Sequence, residues 1–438
     1  MAFHKKTIRD ISLEGKRVLV RVDYNVPATD DGNIADDYRI RQSLPTLQYL
    51  RDQRCKLILL SHRGRPEKDG QYDPKTSTRP VAERLGELLG AAVAYVDDCV
   101  GDDVKEAADR LNDGHILMLE NVRYHDDEEQ NSDEFAKRII EATGAEVFVQ
   151  DGFGVVHRAH TSTDALARAG LPAVAGFLLE KEVDTITRVM ENPERPLMVI
   201  VGGAKISDKI EILKKFIEIA DVVAVVGALA NTFLLAEGYA IGSSLAEPND
   251  VELAKEIMQA ARTKAAGTNF TFALPRDVVV AQQIDASSPT RIVDLSHNTW
   301  ADISAYPRRP DNSAFTVADN EKILDIGPFS ASYIAGMSKL ARTVIWNGTA
   351  GVTETKGLAG AADPTSHGTR IIVEGLVGER AGEQNHPFVV VGGGDTVGYV
   401  ESVDGLRERL GHVSTGGGAS LELMSGKELP GVAVLDDK

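Results

Sequence analysis

Cysteine is nearly missing from this chain of 438 residues: Cys55 and Cys99 are the whole supply. Two thiols are too few for a disulfide framework or a cysteine zinc site. No apolar run reaches the ~18 residues of a membrane span. The first ten residues, MAFHKKTIRD, lack the apolar stretch of a signal peptide. A soluble, cytoplasmic protein is therefore expected. Positive charge is also short. Lys and Arg total 48 against 66 Asp and Glu, a net charge of -18. A field of that sign repels nucleic acid and anionic membranes, so neither is expected as a partner. There is no repeat of domain-building length and no low-complexity tract. The P-loop pattern, the G-x-G-x-x-G dinucleotide fingerprint, a Ser/His/Asp set, H-E-x-x-H and a cysteine nucleophile are all absent. What remains is an ordinary globular composition, 42% apolar and 26% charged, long enough for two or three domains.

Short β-branched runs alternate with stretches of helical period. RVLVRV (17–22), KLILLS (56–61), AAVAYV (91–96), HILMLE (115–120) and EVFVQ (146–150) read as strands in the first half. PLMVIV (196–201), VVAVVG (222–227), FTFALP (270–275), TVIW (343–346) and FVVVG (388–392) do so in the second. These runs are apolar on both faces, as parallel strands covered by helices must be. VAERLGELLG (81–90), DEFAKRIIEATG (133–144) and DKIEILKKFIEIA (208–220) supply helices, the second capped by Gly144. The alternation implies an α/β protein of two doubly wound domains with mostly parallel sheets. The stretch 176–196 reads as a helix running into a Pro-bounded turn and marks the boundary. The polar stretch 297–314, with two prolines, reads as a surface loop.

In open α/β sheets, ligands sit beyond the carboxyl ends of the strands. In the first half those ends collect an unusual set. The first strand leads into Asp23, Tyr24 and Asn25, and the loop after it brings Arg39 and Arg41. The second leads into His62, Arg63, Gly64 and Arg65, and the fourth into Asn121, Arg123 and His125. The fifth leads into Asp151, Gly152 and Gly154, then His157, Arg158 and His160. Like charges gathered at one sheet edge repel, so a small polyanion with phosphate and carboxylate groups would suit them. The plain alternative is that these arginines pair with Asp36, Asp37, Asp126 and Asp127 nearby.

The second half carries glycine at the same places. Gly202-Gly203-Ala204-Lys205 follows one strand and Gly393-Gly394-Asp395-Thr396 another, while Gly416-Gly417-Gly418 opens the helix SLELM. Free N–H groups at such turns hold phosphate. Lys205 and Lys209, four apart at a helix start, oppose the helix dipole unless an anion is present. They read as phosphate ligands, and Asp395 as a ligand of a phosphate-bound Mg²⁺. One half would then hold a small anion and the other a nucleotide polyphosphate, the layout of a kinase.

Taken in order, RVDYNVP, SHRGRP, LENVRYH, DGFGVVHRAHTST, GGAKISDK, WNG, GGGDT and HVSTGGGASLELMSGKELPG resemble the phosphoglycerate kinase family over nearly the whole chain. The resemblance implies reversible phosphoryl transfer from 1,3-bisphosphoglycerate to ADP, giving 3-phosphoglycerate and ATP, with Mg²⁺ carried by the nucleotide. It implies two Rossmann-like domains, 1–183 for the acid and 184–412 for the nucleotide, joined by a helix and flanking a cleft. The tail 413–438 would return to the first domain. Carried over by position, the acid site would be Asp23, Asn25, Arg39, His62, Arg63, Gly64, Arg65, Arg123 and Arg158. The nucleotide site would be Lys205, Lys209, Asn347, Glu354, Gly393, Gly394, Asp395 and Thr396. Gly394, Gly416 and Gly417 would face the phosphoryl in transit, and Arg39, Lys205 and Lys209 would be catalytic. A monomer that closes about 176–196 and 411–418 is expected.

The sequence departs from the family pattern on the nucleotide side. Thr349, Ala350 and Thr353 stand after WNG where Pro-x-Gly-Val-Phe is usual, and losing Pro frees that loop in this reading. Ala228 stands where glycine is common, and Arg63 adds a cation. A non-catalytic binding relative, a nicotinamide dehydrogenase and a kinase for another phosphorylated acid are the competing readings. MgADP affinity, absorbance with nicotinamide and acid specificity separate them.

Overall fold

Runs that are apolar on both faces become the inner strands of parallel sheets, because helices cover them on either side. In a computed structural model, which describes residues 3–66, 73–285, 288–295, 315–353, 365–378 and 386–438, two such sheets form. The first contains β1 (Arg17–Arg21), β2 (Lys56–Leu60), β3 (Val93–Val96), β4 (Ile116–Leu119), β5 (Val147–Gln150) and β6 (Ala173–Ala175). Their order is β3-β4-β2-β1-β5-β6, parallel throughout. Val18, Val20, Leu57, Leu59 and Val149 pack in its core against Ile40 and Leu47 of the helix Tyr38–Asp52. The helix Asp133–Thr143 starts where the Ser132 side chain accepts from Phe135 N–H. It ends at Gly144, whose φ of 59° is the left-handed cap read from the sequence.

The second sheet contains β7 (Leu197–Val201), β8 (Val222–Val225), β9 (Thr271–Ala273), β13 (Thr343–Asn347), β14 (Phe388–Val391) and β15 (His412–Val413), in the order β15-β14-β13-β7-β8-β9. It too is parallel. Between β9 and β13 the chain forms a small antiparallel sheet from β10 (Asp277–Ala281), β11 (Arg291–Asp294) and β12 (Lys322–Ile326). The sequence reading has no strands there. The stretch 297–314 lies outside the described residues.

The chain divides into two compact units, Met1–Arg188 with Thr415–Lys438, and Val189–Ser414. The division falls within the helix Phe177–Glu191. The last segment is tied to the first unit by backbone pairing: Lys6 N–H donates to Asp436, and Asp436 N–H to Ala173.

Each parallel sheet has one point where strand order reverses, between β1 and β5 in the first and between β7 and β13 in the second. A crevice opens at such a point because the following loops run to opposite faces. Both crevices are lined by glycine for a steric reason. A Cβ on Gly154 would lie 2.1 Å from Asp23 Oδ2, and one on Gly348 would lie 2.4 Å from the Gly202 carbonyl carbon.

Asp151, at the end of β5, anchors the helix Phe177–Glu191 by accepting from Leu178 N–H (2.9 Å) and Leu179 N–H (3.3 Å). Burial raises its carboxyl to about 7 in spite of those donors. Between the unfolded value and that one, the folded chain holds a proton that the unfolded chain lacks. Stability is therefore expected to fall as pH rises from about 4 to 7, by up to about 1.4 kcal/mol per unit, and to level off above. Urea midpoints across that range should show the slope in the wild type and its loss in Asp151→Asn.

Candidate active site

In the first unit, the loops after β1, β2, β4 and β5 bring a cluster of guanidinium groups round His62. Arg39 lies in the first turn of the helix Tyr38–Asp52 rather than in a loop, and its Nη1 donates to Asp23 Oδ2 at 2.6 Å. Asp23 also accepts from Asn25 N–H (3.2 Å). The Asn25 side chain in turn accepts from Gly64 N–H (2.7 Å). The Gly64 carbonyl accepts from Arg123 Nη1 (3.0 Å), so one chain of bonds runs from the β1 loop through the β2 loop to the β4 loop. Gly64 has φ 63°, which suits glycine there. Arg158 is exposed and donates from Nε to His157 (3.2 Å), and Arg65 is exposed as well.

The electrostatics agree with an anion site. Burial holds the His62 imidazole well below its ordinary value, and the charges of Arg21, Arg123, Arg39 and Arg158 push it further down. His160 falls to about 4, from burial and then Arg123. His157 falls for burial and Arg158. Three neutral histidines thus accompany four cations. Arg123 Nε, buried, has no hydrogen-bond partner among the described residues, and Glu129 Oε1 is 3.8 Å away. A buried guanidinium donor left unpaired is costly, so an oxyanion is the partner that geometry asks for.

Two arginines named from the sequence do not join. Arg41 points away and pairs with Asp37 at 2.7 Å, the plain alternative realised. Arg63 is buried, and its guanidinium donates to the carbonyls of Ser77 (2.9 Å), Gly32 (3.0 Å) and Asn33 (3.2 Å). It staples three loops together, and those bonds take it out of the acid site. Sequence reasoning also missed Arg21, Ser162 and Glu128, which form a buried layer beneath His62. The only signal was an arginine near the end of a run otherwise filled by valine and leucine.

In the second unit, a pocket of about 340 Å³ lies at the β7–β13 crevice. Small and apolar residues, Gly203, Ala204, Ala228, Ala230 and Leu245 among them, line it together with 348–352 and Asp395. That is the wall a planar base and sugar need. Asn231 and Asp325 also line it, the latter from β12. Neither was singled out from the sequence: Asn231 sits in the helix Gly227–Ala236, and β12, which carries Asp325, was not read as a strand.

Lys205 and Lys209 do not share a helical face. The regular helix starts only at Ile210, after a 3-10 turn at Ser207–Lys209, and Lys205 lies in the loop before it. The Glu247 carboxylate fastens that loop, accepting from Ile206 N–H (2.5 Å), Ser207 N–H (3.2 Å) and the Ser207 hydroxyl (2.9 Å). Lys209 Nζ reaches Asn347 Oδ1, leaving Asn347 Nδ2 buried with no partner among the described residues. Gly393, with φ 90°, precedes the helix Gly394–Glu401, whose first turn carries Asp395. Thr396 is turned inward, its hydroxyl accepting from Gly348 N–H at 2.6 Å. Gly416 precedes the helix Gly417–Met424 of the first unit. The loop after WNG is not freed by losing proline. Ala350 N–H donates to Thr369 (2.9 Å), Val352 N–H to Leu324 (2.9 Å) and the Thr349 hydroxyl to Gly351 (3.0 Å). Glu354 lies outside the described residues.

A cluster of guanidinium groups on one doubly wound unit and, on another, a glycine-lined pocket whose Gly203 packs close to the Lys209 side chain suit a phosphotransferase acting on two small molecules. The sequence model of phosphoglycerate kinase matches residues 8–427. Phosphoglycerate kinase of Moorella thermoacetica is 43% identical over 434 residues, covering 99% of this chain and 100% of the relative. That of Pelotomaculum thermopropionicum is 41% identical with the same coverage. The solved structure of phosphoglycerate kinase from Coxiella burnetii superposes with a TM-score of 0.78 at 33% identity, covering 98% of both chains. The one from Pyrococcus horikoshii does so at 0.76 and 27%, again covering 98% of both. The chain belongs to the phosphoglycerate kinase family. It is a kinase of glycolysis, transferring a phosphoryl group reversibly between 1,3-bisphosphoglycerate and ADP.

Proposed function

We propose that the acid substrate is held by the first unit, through Asp23, Asn25, Arg39, His62, Gly64, Arg65, Arg123 and Arg158. The guanidinium groups of Arg39, Arg123 and Arg158 about a buried, neutral His62 carry this reading. Guanidinium forks match both ends of 3-phosphoglycerate, its phosphate and its carboxylate. The second unit takes the nucleotide in the pocket beside Ala228 and Asp325, with Lys205, Lys209, Asn347, Gly393 and Gly394 toward its phosphates. Glu354 holds the ribose.

Asp395 fits a nucleotide-borne Mg²⁺. It is an exposed carboxylate in the first turn of a helix, and Mg²⁺ needs one such oxygen beside phosphates and water. When bound, the metal neutralises phosphate charge. Arg39, Lys205 and Lys209 then offset the charge on the phosphoryl in flight, near Gly394, Gly416 and Gly417. The acceptor is already a carboxylate, so no strong base is required, and positioning with charge stabilisation is what remains.

The test is 3-phosphoglycerate-dependent release of ADP from MgATP. Turnover is expected, and EDTA should abolish it while leaving 3-phosphoglycerate binding detectable by calorimetry. Absent turnover with metal, or binding lost with EDTA, would contradict the assignment. Ligands held by different units must meet, so closure about 176–196 and 411–418 belongs to the proposal. Solution scattering should give the mass of one 47.2 kDa chain and a smaller radius with both substrates present.

A further inference from the structure

Beneath His62 lies a buried polar layer to which the reaction assigns no part. Arg21, near-fully buried at the end of β1, donates from Nε to Ser162 Oγ at 2.7 Å and from Nη1 to the Val22 carbonyl. Its Nη2 is 3.2 Å from His62 Nδ1. Ser162 donates from Oγ to Glu128 Oε1 (2.6 Å) and from N–H to Glu128 Oε2 (2.9 Å). Glu128 is 1% exposed, so an interior carboxylate balances the interior guanidinium through one hydroxyl.

We propose that Arg21 is a positioning residue that fixes the tautomer of His62: by donating to Nδ1 it leaves the single ring proton on Nε2, the nitrogen offered to the acid substrate. A guanidinium has five N–H groups and no lone pair to accept with, so any hydrogen bond between it and imidazole requires an acceptor nitrogen on the ring. Nδ1 must then be bare. The one competing acceptor, Asp23 Oδ1, is 3.8 Å from Nδ1, outside hydrogen-bond reach, and Asp23 is engaged by Arg39 and Asn25. Nε2 makes no hydrogen bond to any described residue. The groups whose charge reaches the ring are Arg21 and Asp23 from the β1 end, Arg39 from the following helix, Arg123 after β4 and Arg158 after β5. Burial, and after it the four cations, keep the ring neutral, so Nε2–H donates as an uncharged group of fixed direction.

The inference rests on the reading that His62 meets the acid substrate, and the experiment separates the two. Nitrogen-15 spectra of histidine-labelled full-length protein are recorded without ligand, with His62 assigned by its loss in His62→Gln. An imine-type Nδ1 and a protonated Nε2 are expected, unchanged through the range where free imidazole titrates. A protonated Nδ1, or imidazolium at neutral pH, would overturn the proposal. In Arg21→Met, His62 should show mixed tautomers and titrate nearer its ordinary value. The KM for 3-phosphoglycerate should rise about tenfold or more, the worth of one charge-assisted hydrogen bond, with the KM for MgATP unchanged. Because that variant strands Glu128, the double variant Arg21→Met/Glu128→Gln is measured beside it, and an unchanged His62 spectrum in the double variant refutes the idea. A wild-type KM in His62→Gln would instead remove His62 from the substrate site and leave the tautomer result standing.

Discussion

Arg39→Ala is expected to release ADP from MgATP and 3-phosphoglycerate about 10²–10³-fold more slowly than the wild type, mostly through kcat. The residue sits where the first turn of the helix Tyr38–Asp52 faces the end of β1, braced against Asp23 at 2.6 Å. A braced guanidinium costs nothing to reorient as charge builds on the phosphoryl group, which is why its loss falls on the transition state more than on binding. Alanine also takes from Asp23, 4% exposed in its side chain, its ion-pair partner, leaving Arg21 as the cation near it. Part of the loss therefore comes from an acid site turned less positive, and the KM for 3-phosphoglycerate should rise too. Arg39→Lys keeps the charge without the fork and should recover activity only in part. Steady-state kinetics on the three proteins decide it. A kcat for Arg39→Ala within about threefold of the wild type would remove the residue from the charge-stabilising role assigned to it.

Glu120→Ala is expected to destabilise the first unit by about 3–5 kcal/mol. Its carboxylate, buried after β4, accepts from the hydroxyls of Ser77 (2.7 Å), Thr78 (3.0 Å) and Tyr95 (2.5 Å). It also accepts from the N–H groups of Thr78 (2.7 Å) and Asn121 (2.6 Å). Those donors come from the start of the helix Arg79–Leu89, from β3 and from the segment that leads to Arg123. Removing one side chain strands the four donors of Ser77, Thr78 and Asn121 away from water and frees the part-exposed Tyr95 hydroxyl, and each buried unpaired group costs about 1–3 kcal/mol before the structure relaxes. Urea denaturation followed by circular dichroism measures the loss. Glu120→Gln should fall between, since its amide accepts at one oxygen only. The KM for 3-phosphoglycerate should rise in both variants as the Arg123 loop loosens.

The two parallel sheets were legible because burial on both faces leaves an unmistakable apolar run in most of their strands; all ten runs became strands, the half-exposed edge strand β3 among them. β6 and β15 were not, being three and two residues long, too short to carry a period. β11 and β12 are partly exposed and carry charged residues, so neither reads as a covered strand. Missing them hid the Asp325 wall of the pocket at the β7–β13 crevice. In the cluster round His62, residue type and strand-end position singled out Asp23, Asn25, His62 and Arg123, which the fold brings together. What they could not give was direction. Arg63 and Arg41 sit beside true members of the cluster in sequence, yet one turns inward to carbonyls and the other outward to Asp37. A side chain's heading depends on which neighbour offers it a partner, and those neighbours, Ser77 and Gly32 for Arg63, are distant in the chain.

The return of Thr415–Lys438 to the first unit sets an order on how the protein can be made. The second unit is one uninterrupted stretch, so all its contacts are available once residue 414 has left the ribosome. The first unit, though synthesised earlier, lacks the strap that pairs with Lys6 and Ala173 until Asp436 emerges. The half that is translated first is thus the half that is finished last. During that wait the Gly416 turn is missing, and the Ala173 carbonyl of β6 and the Lys6 N–H lack their partners and are open to solvent and to chaperones.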